Sequence, residues 1–148
     1  MDIIKVFENS INKMQEKNWD CIYVMIDLHG TIFKPSYAED EKYEFYPDAE
    51  HALHMMSQNR RIRLILWTST DNIYIRNYLN VFENHDIHFD AINGNPYEET
   101  TETKVRSMSF KEKPYFNVGI DDKFGFEPET DWTNICEWYK KFKTINND

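Results

Sequence analysis

The sequence predicts an α/β domain, a mainly parallel Rossmann-like sheet covered on both faces to give three layers. Two observations predict it. Short apolar runs rich in β-formers alternate with segments whose apolar residues recur at helical spacing. Three of those runs also end in polar residues of complementary chemistry, where an open α/β sheet borders its ligand crevice. A chain of 148 residues suits a single domain, 1–148, with one sizeable core.

Taken in order, Ile3, Phe7, Ile11 and Met14 mark an amphipathic N-terminal helix within residues 1–19. "CIYVMID" reads as a buried strand ending near Asp27. "KPSYAEDEKYEFYP" is polar and aromatic between two prolines, a loop or small hairpin; residues 34–46 form a flap. Pro47 stands where a helix begins, with Asp48 and Glu50 in its first turn and Ala49, Leu53 and Met56 facing inward. "RIRLILWT" is a second buried strand, and "STDN" offers caps for a helix whose inner face is Tyr74, Tyr78, Val81 and Phe82. "IHFDAIN" is a weaker third strand, "GNPYEETTETK" is turn chemistry, and "YFNVGIDD" is a fourth strand. "DWTNICEWYKKFK" closes the chain as a helix with Ile135, Trp138, Tyr139 and Phe142 on one side. There is no internal repeat, low-complexity tract or linker.

Composition narrows the function. A net charge of −9 argues against an extended nucleic-acid footprint, which needs a concentrated basic face. It suits a divalent metal held by carboxylates. Cys21 and Cys136 match neither a disulfide framework nor a zinc pattern and read as reduced thiols. The N-terminal stretch lacks a signal-peptide shape and no apolar run reaches transmembrane length, so the expectation is a cytoplasmic protein without a membrane partner.

The strand ends are the site candidates. The first strand delivers Asp27, with His29 and Thr31 beyond it; the second delivers Thr68 and Ser69; the fourth delivers Asp121 and Asp122. Together they suggest phosphoryl transfer. A carboxylate at Asp27 can attack phosphorus and form an aspartyl-phosphate. Asp27, Asp121 and Asp122 can hold Mg²⁺, which offsets the repulsion between nucleophile and phosphate. Thr68 can donate to phosphoryl oxygens, and a lysine can supply further positive charge.

"DLHGT", "LILWTS" and "VGIDDKFGF" together resemble the signature motifs of the haloacid dehalogenase-like hydrolases, in the right order from Cys21 to Phe126. The resemblance implies a Rossmann-like sheet, Mg²⁺ dependence and phosphatase activity on a small phosphorylated molecule. By position it makes Asp27 the nucleophile, Thr68 the phosphate-binding hydroxyl, and Asp121 with Asp122 the metal carboxylates. It also implies a phosphate-site lysine, for which Lys113 precedes the last strand, with Lys111 and Lys104 as alternatives. Large cap insertions are missing, so the resemblance implies a site open apart from the 34–46 flap. The sequence departs from the pattern at His29, where the family places its acid–base aspartate. The imidazole has a suitable ordinary pKa of about 6.5 for that work but not a carboxylate's charge or geometry. The backbone carbonyl of His29, a family metal ligand, survives the change.

The alternative is a catalytically silent domain that binds metal and a phosphate-bearing ligand. A receiver-like phosphorylation module is excluded by order, because receivers place the acidic pair first. His51 and His54 read as surface histidines, His85 and His88 as loop residues that carry no argument, and Tyr37, Tyr43, Phe45 and Tyr46 as flap packing. Gly30 supplies backbone freedom in the turn after the first strand.

Overall fold

The computed structural model describes residues 1–35, 43–70, 72–94 and 115–146. Tyr37, the "GNPYEETTETK" segment after Gly94, and Lys104, Lys111 and Lys113 lie outside the described residues.

Helix α1 (Ile3–Lys17) begins where the Asp2 carboxylate accepts from the N–H groups of Ile4 and Lys5, and ends at Asn18 in the left-handed region. These are ordinary helix start and stop signals, satisfying end groups the helix itself leaves unpaired. Strand β1 (Ile22–Ile26) follows, then α2 (Ala49–Ser57), β2 (Ile62–Leu66), α3 (Asn72–Asn84), β3 (Ala91–Ile92), β4 (Val118–Ile120), a short 3₁₀ turn (Asp122–Phe124) and α4 (Asp131–Asn146). The four strands form one all-parallel sheet in the order β3-β2-β1-β4, flanked by helices in the three-layer Rossmann-like manner.

Every residue of β1 is buried, which explains why the run is continuously apolar rather than alternating. The parallel register sets Val24 between Leu64 and Val118, and Ile26 between Leu66 and Ile120. Those rows join Phe7 of α1 and Trp132 and Ile135 of α4 in the main core cluster. Tyr23, Met25 and Ile65 are buried on the opposite face. Each such aliphatic side chain contributes about 1.5–3 kcal/mol by leaving water. The rows therefore hold the strand register firmly, and with it the position of whatever follows each strand.

The outer strands are short because side chains take over their pairing. Asn117 donates its N–H to the Tyr23 carbonyl while its Oδ1 accepts from the Tyr23 N–H, both at 2.8 Å. Asp90 does the same to Leu64 across β2, with 2.8 Å for each bond. Asn93 repeats the device at the far end, donating to the Leu66 carbonyl and accepting from the Thr68 N–H at 2.7 Å. The weak third strand thus shrinks to two residues bracketed by two Asx side chains.

Two expectations require correction. Helix α2 starts at Ala49, so Pro47 lies before the helix; Asp48 is its N-cap residue with φ 62° and caps nothing with its side chain. Its carboxylate accepts instead from Thr133 Oγ1 at 2.7 Å, tying α2 to α4. On α3, Tyr74 is 49% exposed, and Ile75 is buried in its stead beside Tyr78 and Phe82. The described flap residues Tyr43, Phe45 and Tyr46 pack on the body. Lys34 and Tyr46 bond across its base to Glu44 and Ile32, and the Phe33 ring meets both Phe45 and Tyr43.

Removing the Asn117 side-chain acceptor should leave the Tyr23 N–H orphaned. Asn117→Ala is expected to cost about 1–3 kcal/mol. Urea unfolding should show a lower midpoint at unchanged slope; an unaltered midpoint would mean the pairing contributes nothing.

Candidate functional site

The strand order contains one switch point. From β1 the chain steps outward through β2 to β3, then returns to the other side of β1 for β4. Ligand crevices of open α/β sheets open where neighbouring strands depart in opposite directions in this way. Asp27 leaves β1 and Asp121 leaves β4 at that point, and the Asp27 N–H closes the ladder on the Ile120 carbonyl at 2.9 Å.

The turn after β1 is wound around one carbonyl. Leu28 O accepts from the N–H groups of Thr31, Ile32 and Phe33. Gly30 sits inside this turn at φ 74°, where a Cβ would come within 3.2 Å of Asp122 Oδ2. Glycine is required twice over, for the backbone angle and for the approach of the second carboxylate. The turn also buries Thr31 completely, and the Trp132 Nε1–H from α4 holds the Thr31 carbonyl at 2.8 Å.

Thr31 Oγ1 connects the carboxylates. It lies 3.2 Å from Asp27 Oδ2 and 3.2 Å from Asp122 Oδ1, and accepts the Asp122 N–H at 3.1 Å. One hydroxyl proton serves two carboxylates, so at any moment one of them goes without it. Asp121 lies beside them, its Oδ1 accepting from the Lys123 N–H at 2.9 Å. Ligand oxygens of Asp27, Asp121 and Asp122 all lie within 4.8 Å of one another. Among the described residues, no lysine or arginine forms an ion pair with them.

Burial, followed by the neighbouring Asp121 charge, pushes the Asp27 carboxyl above its ordinary value. Asp121 is likewise raised by burial, and further by Asp122. The donor set fits Mg²⁺. Mg²⁺ takes oxygen ligands of this kind, usually one or two carboxylates with water completing the shell. The His29 carbonyl accepts no hydrogen bond among the described residues, so it is available as a further oxygen.

The remaining polar residues form a second group beside the first. The exposed His29 ring places Nε2 3.0 Å from Thr70 Oγ1 and 3.4 Å from the Tyr78 hydroxyl, with Tyr78 edge-on to the imidazole. Thr70 Oγ1 is 2.9 Å from Thr68 Oγ1, which also accepts the Thr70 N–H at 3.1 Å. Thr68 is thus held from both sides, by Asn93 at its N–H and by Thr70 at its hydroxyl. One arrangement of protons satisfies every bond from His29 Nε2–H through Thr70 to Thr68 and leaves the Thr68 proton free for an incoming anion. Thr70, Tyr78, Asn93 and Trp132 were not foreseen as partners of the site, since each is recruited by tertiary packing. His54 and His85 hydrogen-bond the carbonyls of Asp86 and Val81.

The raised carboxyls make a stability prediction. In the unfolded chain Asp27 and Asp121 titrate near their ordinary value, so over the interval above it the folded state holds more protons. Stability therefore falls as pH rises through that interval, and the full cost persists at neutral pH. Asp27→Asn keeps the acceptor for Thr31 while removing a charge. It is expected to raise the metal-free melting temperature at pH 7 and flatten its decline between pH 4 and 7. A lower melting temperature for the variant across that range would contradict the mutual repulsion.

No protein-family model matches the chain, and no curated protein sequence matches it. A solved structure of a conserved protein coded by a locus of Bacteroides thetaiotaomicron is similar: 27% of residues are identical, the match covers 85% of this chain and 95% of that one, and the TM-score is 0.58. The likeness supports the parallel α/β architecture. Among the described residues no helix is long and apolar enough to cross a membrane.

Proposed function

We propose that the protein is a Mg²⁺-dependent phosphatase of the haloacid dehalogenase-like kind, acting on a small phosphorylated molecule. The observation that carries this reading is the convergence of Asp27, Asp121 and Asp122 at the switch point, with no lysine or arginine in an ion pair with them among the described residues. A metal held by these carboxylates and the His29 carbonyl would supply positive charge against the phosphate.

The chain's own groups then have separate tasks. An Asp27 oxygen attacks phosphorus, and the bond from phosphorus to the leaving oxygen breaks. The leaving oxygen takes a proton from a protonated His29. Water next attacks the aspartyl-phosphate, gives its proton back to His29, and releases phosphate and free Asp27. Thr68, oriented through Thr70, donates to a phosphoryl oxygen throughout. Lys113 remains the expected source of further positive charge, outside the described residues.

A second reading, binding of metal and phosphate without turnover, is favoured by one contact. His29 Nε2 is already engaged by Thr70 Oγ1 at 3.0 Å, so that nitrogen is not free to pass a proton to a leaving oxygen. The two readings separate in a Mg²⁺-supplemented assay on phosphomonoesters. The first expects aryl phosphates to be cleaved faster than alkyl phosphates, which depend more on an acid. Asp27→Asn should abolish turnover while retaining the fold, and His29→Asp should speed alkyl-phosphate cleavage about tenfold or more. Full activity in the Asn variant would end the aspartyl-phosphate mechanism. Absence of turnover in both wild type and His29→Asp, with Mg²⁺ still raising the melting temperature, would establish the binding reading.

A further inference from the structure

At the opposite edge of the sheet, α1, α2 and α4 enclose a cavity of about 810 Å³. Ile11, Met14, Met55 and Ile62 are among its lining groups, and Arg60 and Arg61 stand in the turn at its edge. Small-molecule pockets occupy about 300–1,000 Å³ and combine an apolar body with a few polar groups at one end. The charge is out of keeping with the rest of the chain. The sequence carries 26 acidic residues against 17 basic ones, yet no carboxylate lines this cavity among the described residues. Both arginines are exposed, and neither guanidinium forms an ion pair or hydrogen bond among the described residues. The neighbouring acid Asp86 faces His54 at 4.0 Å and is bonded to His88 at 3.0 Å.

We infer that this cavity binds a small amphipathic anion, an apolar body lying between the helices with a carboxylate or sulfonate head against Arg60 and Arg61. A planar guanidinium matches an oxyanion in two parallel bonds. A membrane surface is not the occupant this cavity fits, because that attraction needs a cluster of about four to eight basic residues. The site is separate from the carboxylate edge. Arg61 accepts from Ile22 where β1 enters the sheet, and Asp27 lies beyond the exit, about 17 Å along the strand. The inference therefore stands apart from the proposed phosphatase activity.

The test is a fluorescence titration of the full chain with 8-anilinonaphthalene-1-sulfonate, beside the uncharged N-phenyl-1-naphthylamine, with decanoate as competitor. One saturable site for the anionic probe, displaced by decanoate, is expected. Arg60→Gln combined with Arg61→Gln should weaken the anionic probe about tenfold or more, the scale of lost hydrogen bonds to a charged group, and leave the neutral probe unchanged. Asp27→Asn should change neither. Equal affinity for the anionic probe in wild type and the double arginine variant would overturn the inference. So would equal weakening of both probes, or a tenfold change on Asp27→Asn, which would place the probe at the carboxylate edge. Both substituted arginines are exposed, and a retained cooperative thermal transition verifies the fold.

Discussion

The parallel pairing of β1 with β4 is the constraint on which the rest depends. Its register is set by rows of buried aliphatic side chains, Leu64–Val24–Val118 and Leu66–Ile26–Ile120. Once those rows are packed, the residue after each strand has no freedom to retreat, and Asp27 and Asp121 must emerge side by side. The carboxylates repel and are partly desolvated, yet the apolar burial behind them exceeds what their separation would recover. A fold that holds like charges together in this way bears a standing cost in stability, and under the proposed function that cost keeps a cation site preorganised.

The turn from Leu28 to Phe33 is the second half of that arrangement. Thr31 is buried and bonded on every side: its hydroxyl reaches Asp27 and Asp122, while its carbonyl takes the Trp132 N–H from α4. The helix that ends the described chain thereby braces the turn that follows the first strand. Tyr78 plays a comparable part on the α3 side, with its hydroxyl near His29 and its ring against Phe33 and Tyr43 of the flap. One ring thus touches both the flap base and His29.

Much of this was legible in the sequence, and the reasons are local. Continuous apolar runs identified β1 and β2, helical spacing identified the inward residues of α1 and α2, and polar residues ending those runs marked Asp27, Thr68, Asp121 and Asp122. What escaped depends on distance along the chain. Trp132 meets Thr31 from 101 positions away, and Thr70 meets His29 across 41. No periodicity encodes such contacts. The exposure of Tyr74 and burial of Ile75 is a smaller miss, a rotation of one residue around α3 that apolar spacing alone does not decide. The Asx residues that prolong the outer strands were readable only as turn formers, because their side chains stand in for backbone carbonyls.

That substitution has a consequence for how molecules of this protein meet one another. A sheet edge invites a foreign strand in proportion to the length of regular, unpaired backbone that it presents. Here β3 is two residues long and β4 three, and beyond them the Asx side chains turn their acceptors inward onto β1 and β2. The same groups that complete the ladder shorten the template it offers, so the described edges discourage strand addition between copies without a charged or proline guard on either strand.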